Sequence, residues 1–392
     1  MKRLKFFSVM LATLLILSSF GVSCAFKQES SSGLPPEFDV VGEAWNILLE
    51  DHVDKDKLDA EKLSRAAIEG MVQAVGDPYT AYLDSDTYRL QLEMLKGSYS
   101  GIGARIAIRE GQLTIIAPIS GSPAERGGVK AGDRILEING ESTSGMTLTE
   151  AVLRIQGPPD TSVKLLVLHK GGTEPIEMEI TRAEIELESV FWEMRDDIAY
   201  IKLSHFTERT NGELTLALED ILSRDVAGIV LDLRGNPGGL LSAAVDSASQ
   251  FLAEGVVANV IDSEGKYTAL RVKPGGLATE LPLIVLVDEG SASASEILAG
   301  AFQDHGRAKL AGSTTFGKGS VGTIRQLRDG SALCVTIARW LTPGGKPIEG
   351  VGLTPDFVIE LEGSDLVDWA VDYLGSQAGM PVSVRCESFL KI

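Results

Sequence analysis

The sequence predicts a mixed fold: an α/β core, a β-rich domain inserted ahead of it, and a helical segment at the N-terminus. Three changes of texture carry that reading. Between about Val40 and Val75 apolar residues recur at helical spacing, whereas from Gly97 to about Thr181 short runs alternate between turn residues. From Ala183 to about Leu361 strand-like and helix-like runs follow one another, the pattern of a sheet covered by helices.

The chain opens MKRLKFFSVMLATLLILSSFGVSCAF, with Lys2, Arg3 and Lys5 ahead of an apolar run that meets no charge until Lys27. That is an export signal, assigned to residues 1–25. Small residues allow cleavage after Ala25; Cys24 also resembles a lipoprotein site, which Gly21 fits poorly, and the run is long enough to stay as a membrane anchor. The mature protein is expected outside the cytoplasm: in the periplasm, on the cell surface or secreted. Residues 26–96 then hold a polar linker, KQESSSGLPP, and two helical stripes. Val41, Ala44, Trp45, Leu48 and Leu49 form the first; Leu63, Ala67, Met71 and Val75 form the second, stopped by Gly76 and Pro78.

Composition excludes several classes. A length of 392 residues supports two or three domains, and 44% hydrophobic with 23% charged content places the chain among globular proteins. A net charge of −19 argues against nucleic acid as a partner. Three cysteines, Cys24, Cys334 and Cys386, are too few for a disulfide framework, although a Cys334–Cys386 bridge stays open. Anchorage at the N-terminus and homo-oligomeric assembly are both compatible with the sequence.

Residues 97–182 read as GIGARIAI, QLTIIAPI, DRILEING, SVKLLVLHK and IEMEIT strands, interrupted by one helix, TLTEAVLRIQ. The loop Ser100, Gly101, Ile102, Gly103 can turn successive backbone N–H groups toward a carboxylate. Together with SPAERGGVKAGDRILEINGE, this region resembles a PDZ domain of the bacterial protease type. The resemblance implies capture of protein tails, with Val152 of the helix in the pocket wall.

In residues 183–364, GIVLDLR is a strand, GNPGG a loop and LLSAAVDSASQFL a helix; PLIVLVD, a serine-rich turn and EILAGAFQDHG repeat the arrangement. AKLAGS, VGTIRQL and ALCVTIARW are further strands, with TTFGKGS and RDGS between them. The turn DEGSASASE offers Ser291, Ser293 and Ser295. Ser293 with Glu296 fits a capping box, yet a hydroxyl at a helix N-terminus also lies where an oxyanion is stabilised. The local stretch leaves both open.

A nucleophile needs a base. His52, His169, His205 and His305 form no metal-binding pair, no cysteine cluster accompanies them, and no metal or other cofactor is expected. His305, on the helix after the serines, keeps a Ser-His-Asp arrangement open; the GxSxG elbow is absent. Lys318, between Gly317 and Gly319, is the other candidate, provided that burial keeps it neutral. GSTTFGK also fits the start of a phosphate-binding loop, but Gly319 replaces the magnesium-binding hydroxyl and a strand follows where that motif needs a helix.

SASASE, TFGKGS, LDLRGNPGG, GDPYTAYL, LTPGGKPIEGVGLTPD and the PDZ-like insert together resemble the carboxyl-terminal processing proteases, from about Val40 to Val358. The resemblance implies an α/β serine-protease core. It implies Ser293 as nucleophile and Lys318 as base, with the N–H groups of Ala294 and Gly239 as oxyanion donors, Ser291 and Ser295 as shaping residues and Glu296 as a cap. Substrates would be proteins with apolar carboxyl-terminal tails. One position departs: the family's lysine-orienting glutamine is Gly322 here, and Gln326, four residues along a strand, lies about 13 Å farther on. That departure sustains a rival reading, a weak or inactive PDZ scaffold that binds protein tails. For the tail 365–392 the sequence implies no role.

Overall fold

The computed structural model of the chain describes residue 35 and residues 37–378. The export signal, Cys24 and Cys386 lie outside the described residues. The chain divides into two units, Met1–Ala67 and Ile68–Ile392. The first carries helix Glu37–Asp51 and the start of helix Ala60–Val75, separated by the short turn Lys55–Lys57. The expected stripe falls on Glu37–Asp51, but no residue of that helix is buried. Among the described residues no helix is long and apolar enough to cross a membrane.

The second unit is built on a six-stranded sheet. Its order is Val190–Arg195, Ile198–Leu203, Gly228–Asp232, Leu283–Val287, Lys309–Gly312 and Phe357–Val358, parallel from the second strand onward. Strands buried on both faces read as unbroken apolar runs, as LIVLV does at Leu283–Val287, where every residue is buried. Alternate side chains serve opposite faces. Ile229, Leu231, Val285 and Val287 pack with helices Thr210–Leu222, Leu241–Phe251 and Ala294–Asp304. Val230, Ile284 and Leu286 pack against Leu366, Val367, Ala370 and Leu374 of helix Gly363–Ala378. The tail expected to have no assigned role therefore begins as the cover of the sheet's second face.

Beside this core lies an antiparallel sheet of Ala81–Leu83, Ala332–Leu341, Val256–Asp262 and Tyr267–Arg271, with Ser320–Gln326 pairing Ala332–Leu341. The predicted hairpin around RDGS is present.

The inserted domain is a third sheet, Ala104–Arg109, Gln112–Pro118, Arg134–Ile138, Ser162–Leu168 and Ile176–Thr181, with Glu141–Ser142 added to Arg134–Ile138. Ala151 and Ile155 of helix Leu148–Ile155 close its core over Ile115, Ile135, Val163 and Leu165. Thr147 caps that helix through a full capping box with Glu150. The two ends of the insert leave the core side by side, because Ser98–Gly101 pairs antiparallel with Ala183–Glu186. That short ladder is what lets a whole domain interrupt the chain without separating the residues on either side.

Candidate active site

Three neighbouring parallel strands end at one edge of the core sheet. The loop after Gly228–Asp232 is GNPGG, the turn after Leu283–Val287 is SASAS, and the loop after Lys309–Gly312 carries Lys318. Residues far apart in sequence thus meet at the carboxyl edge, where open α/β sheets place their sites.

The serine turn is welded to the glycine loop. Asn236, fully buried, accepts at its carbonyl from the Ala292 N–H (3.0 Å) and the Ser295 hydroxyl (2.9 Å). Its side chain donates to the Leu203 carbonyl (2.9 Å) and accepts from the Gly238 N–H (2.9 Å). Ser291 donates to the Leu233 carbonyl at 2.9 Å. Ser291 and Ser295 are thereby both buried in structural bonds, and Ser293 is the one of the three left half-exposed. It stands at φ 54°, ψ −110°, a backbone conformation that costs a β-carbon-bearing residue energy and that cores retain only where neighbours hold it in place.

The glycine loop comes close for a reason visible in its backbone. Gly239 has φ +145°, and a β-carbon there would meet the Phe206 carbonyl oxygen at 2.0 Å. At Gly238 one would meet the Ser293 β-carbon at 2.9 Å and the Ala294 nitrogen at 3.0 Å. Only glycine fits either position. Phe206 bridges to Gly239 through the Gly238 carbonyl and the Leu240 N–H, so the Gly239 N–H itself points away from that bridge. Among the described residues it has no partner, nor has the N–H of Ala294, the first residue of the helix.

Lys318 is fixed by its backbone. The N–H groups of Gly317 and Lys318 donate to Glu296 Oε1 (2.7 Å) and Oε2 (2.9 Å), and that of Gly319 donates to Glu349 Oε2 (2.9 Å). Trp340 Nε1 donates to the Lys318 carbonyl at 3.0 Å. Glu296 is fully buried and does more than cap. Its Oε1 also accepts from the Thr315 hydroxyl (2.6 Å), and its Oε2 from the Ser293 N–H (2.8 Å). One carboxyl oxygen therefore holds both Ser293 and Lys318, so their backbone nitrogens are no farther apart than those two bonds allow. The lysine Nζ lies 4.9 Å from the centre of the Tyr79 ring. Among the described residues it makes no hydrogen bond to Ser293.

The remaining sequence candidates fall as follows. Gly322 is exposed on strand Ser320–Gln326, without positive φ, and a β-carbon there would touch only Cys334 Sγ at 3.6 Å and the Val335 carbonyl at 3.8 Å. Gln326 pairs with Ala332 at the far end of the same strand, so it does not replace the missing glutamine near Lys318. The strand after Lys318 also leaves no helix N-terminus for a phosphate. His305 ends the serine helix at its other end, where Nε2 binds the Val256 carbonyl at 2.8 Å. In the insert, Ser100 and Gly101 lie in the strand that pairs with Ala183–Glu186. Ile102 is buried in the insert's core, and the carbonyls of Ile102 and Gly103 accept from the Ala124 and Ile119 N–H groups. The Ile102 and Gly103 N–H groups have no partner among the described residues. Val152 is half-buried on its helix. No group of metal-ligating side chains occurs among the described residues.

The model of peptidase family S41 matches residues 197–359, that of the PDZ domain residues 91–168, and that of the activating protease CtpB N-terminal domain residues 21–87. The carboxy-terminal processing protease CtpA of Bacillus subtilis is 37% identical over 367 residues, covering 92% of this chain and 78% of the relative. The chain belongs to peptidase family S41, the carboxyl-terminal processing proteases. A carboxy-terminal-processing protease of Bartonella bacilliformis is 40% identical over 307 residues, 77% of this chain and 70% of that one. Among solved structures, the photosystem II D1 C-terminal processing protease superposes with a TM-score of 0.50 at 30% identity, covering 88% of this chain and 99% of that one. An S41 serine peptidase with a PDZ domain takes proteins as substrates.

Sequence reasoning missed Asn236, Thr315 and Glu349, and it gave Glu296 only half of its part. A signal for Glu296 was present: a carboxyl sequestered at the third position of an otherwise apolar helix must find donors, and the neighbouring Gly-Lys-Gly loop has N–H groups with no regular partner.

Proposed function

We propose that this S41 peptidase is exported and cuts proteins near their carboxyl ends, with Ser293 as nucleophile and Lys318 as general base. The observation that carries the assignment is the shared Glu296 carboxyl, which ties the Ser293 and Lys318 backbones together beside two unpartnered N–H groups, those of Gly239 and Ala294. Ser293 Oγ attacks the substrate carbonyl as neutral Lys318 takes its proton, and the tetrahedral oxyanion is received by those two N–H groups. Lys318 returns the proton to the leaving amine, the C–N bond breaks, and water then hydrolyses the acyl-enzyme along the same path. Export rests on the N-terminal pattern of Lys2, Arg3 and Lys5 before an apolar run.

The inserted domain would hold the substrate tail by its terminal carboxylate, through the Ile102 and Gly103 N–H groups, with Val152 against the last apolar side chain. An amidated copy of an apolar-ended peptide is expected to bind at least about 10-fold more weakly than the free acid, the loss of one charge-assisted hydrogen-bond set. Equal affinities by calorimetry would remove carboxylate capture. For the activity itself, an unstructured protein with an apolar tail is incubated with the mature chain and with Ser293→Ala. Cleavage by the parent alone supports the protease; tail binding without cleavage by either would leave the PDZ scaffold.

A further inference from the structure

The family's orienting glutamine is absent at Gly322, and Gln326 does not approach the lysine, so what holds the Lys318 side chain is a question of its surroundings. Its Nζ has one close neighbour among the described contacts, the face of Tyr79 at 4.9 Å, well inside the range of a cation–π contact. We infer that Tyr79 is the positioning residue for Lys318, its ring carrying the amine where a glutamine amide would otherwise do so. This rests on the reading of Lys318 as the base.

The turn that carries the ring is itself fixed. Asp77 accepts from the Tyr79 N–H (3.2 Å) and from the Thr80 hydroxyl (2.6 Å), fixing the turn. Strand Ala81–Leu83 then pairs with Ala332–Leu341, and the Thr336 N–H donates to Thr80 Oγ1 at 3.3 Å. The Glu349 carboxyl, which accepts from Arg339 (2.9 Å) and from the Gly319 N–H (2.9 Å), stands near the Tyr79 hydroxyl. Glu349 thus holds the lysine loop and lies beside the ring that faces the lysine. Burial, then the Glu349 carboxyl, raise the Tyr79 phenol above its ordinary range, so it stays a hydrogen-bond donor throughout the neutral and mildly alkaline region. The charged groups that bear on the Tyr79 hydroxyl are Glu349, Glu296 and Arg339.

In the full chain, cleaving an unstructured protein with an apolar tail, Tyr79→Leu is expected to lower kcat at its pH optimum about 3- to 30-fold with KM unchanged. Tyr79→Phe keeps the ring and should stay within about threefold of the parent in kcat. A merely structural loss would lower the folded fraction and leave kcat per titrated active site unchanged. Should Tyr79→Leu fail to fold, Tyr79→Met fills similar space without an aromatic face and is read the same way. Lys318→Ala separates the two ideas. Turnover by Lys318→Ala would overturn the dyad. An inactive Lys318→Ala beside a Tyr79→Leu variant with parental kcat would overturn the Tyr79 assignment alone, and so would a Tyr79→Leu variant faster than the parent, which would mean that the ring parks the lysine away from its work.

Discussion

Lys318→Ala is expected to lower peptide cleavage by about 10²- to 10⁴-fold while leaving the melting temperature near that of the parent, and His305→Ala is expected to cleave normally. The first half follows from which atoms hold the loop. Glu296, Glu349 and Trp340 bind the backbone of Gly317, Lys318 and Gly319, and none of those bonds uses the lysine side chain. Truncation therefore removes a proton acceptor and little structure. The second half follows from geometry. Ser293 caps the start of an 11-residue helix and His305 its end, which separates them by about 18 Å along the axis, beyond any proton transfer. His305 is also engaged, its Nε2 on the Val256 carbonyl. Turnover measured on folded variants decides the matter: an inactive His305→Ala beside an active Lys318→Ala would falsify the dyad.

Glu296→Gln should do double damage. The glutamate sits fully buried and accepts from four donors: the Thr315 hydroxyl and the N–H groups of Ser293, Gly317 and Lys318. An amide offers one oxygen and one NH₂. Whichever way it turns, NH₂ faces a backbone N–H, Gly317's on one side or those of Ser293 and Lys318 on the other. A buried donor left without an acceptor costs about 1–3 kcal/mol, so a loss of about 2–4 kcal/mol in stability is expected. Thermal unfolding would record it as a drop of several degrees. The second effect is on rate. Because the same oxygen tethers the nucleophile's backbone and the base's, loosening it moves the two relative to each other, and misplacement by about 1 Å lowers a rate about 100-fold. Activity assayed well below the variant's melting temperature separates the effects; a variant that melts early yet keeps parental kcat would show that Glu296 supports the fold and not the register of the site.

How much of this could be seen in the sequence depends on the range of the interaction. The buried parallel strands announced themselves as apolar runs, since a strand covered on both faces has no polar side to display, and GIVLD and LIVLV are of that kind. The capping box of Ser293 with Glu296 and the hairpin around RDGS were legible because their partners lie within a few residues. Apolar spacing marked Glu37–Asp51 as a helix, because periodicity along one face is a local property of the chain. Helix Gly363–Ala378 was read as a tail without a role, because the apolar face it presents only gains meaning from Ile284 and Leu286 on the sheet beneath.

The sequence by itself determined the local chemistry: a serine at the mouth of a helix, a lysine between two glycines, a Gly-Gly loop that tolerates close approach, and a strongly acidic composition. Each is a property of neighbouring residues or of the whole composition. Only the tertiary structure decided which of three serines stays open, by consuming Ser291 and Ser295 in bonds to Leu233 and Asn236. It alone made Glu296 a tether between two loops, and it alone brought Tyr79 from near the N-terminus to the amine of Lys318. The physical reason is that parallel strands place the ends of distant segments at one edge, so the donors and acceptors that complete the site are contributed by residues whose separation along the chain carries no signal of their contact.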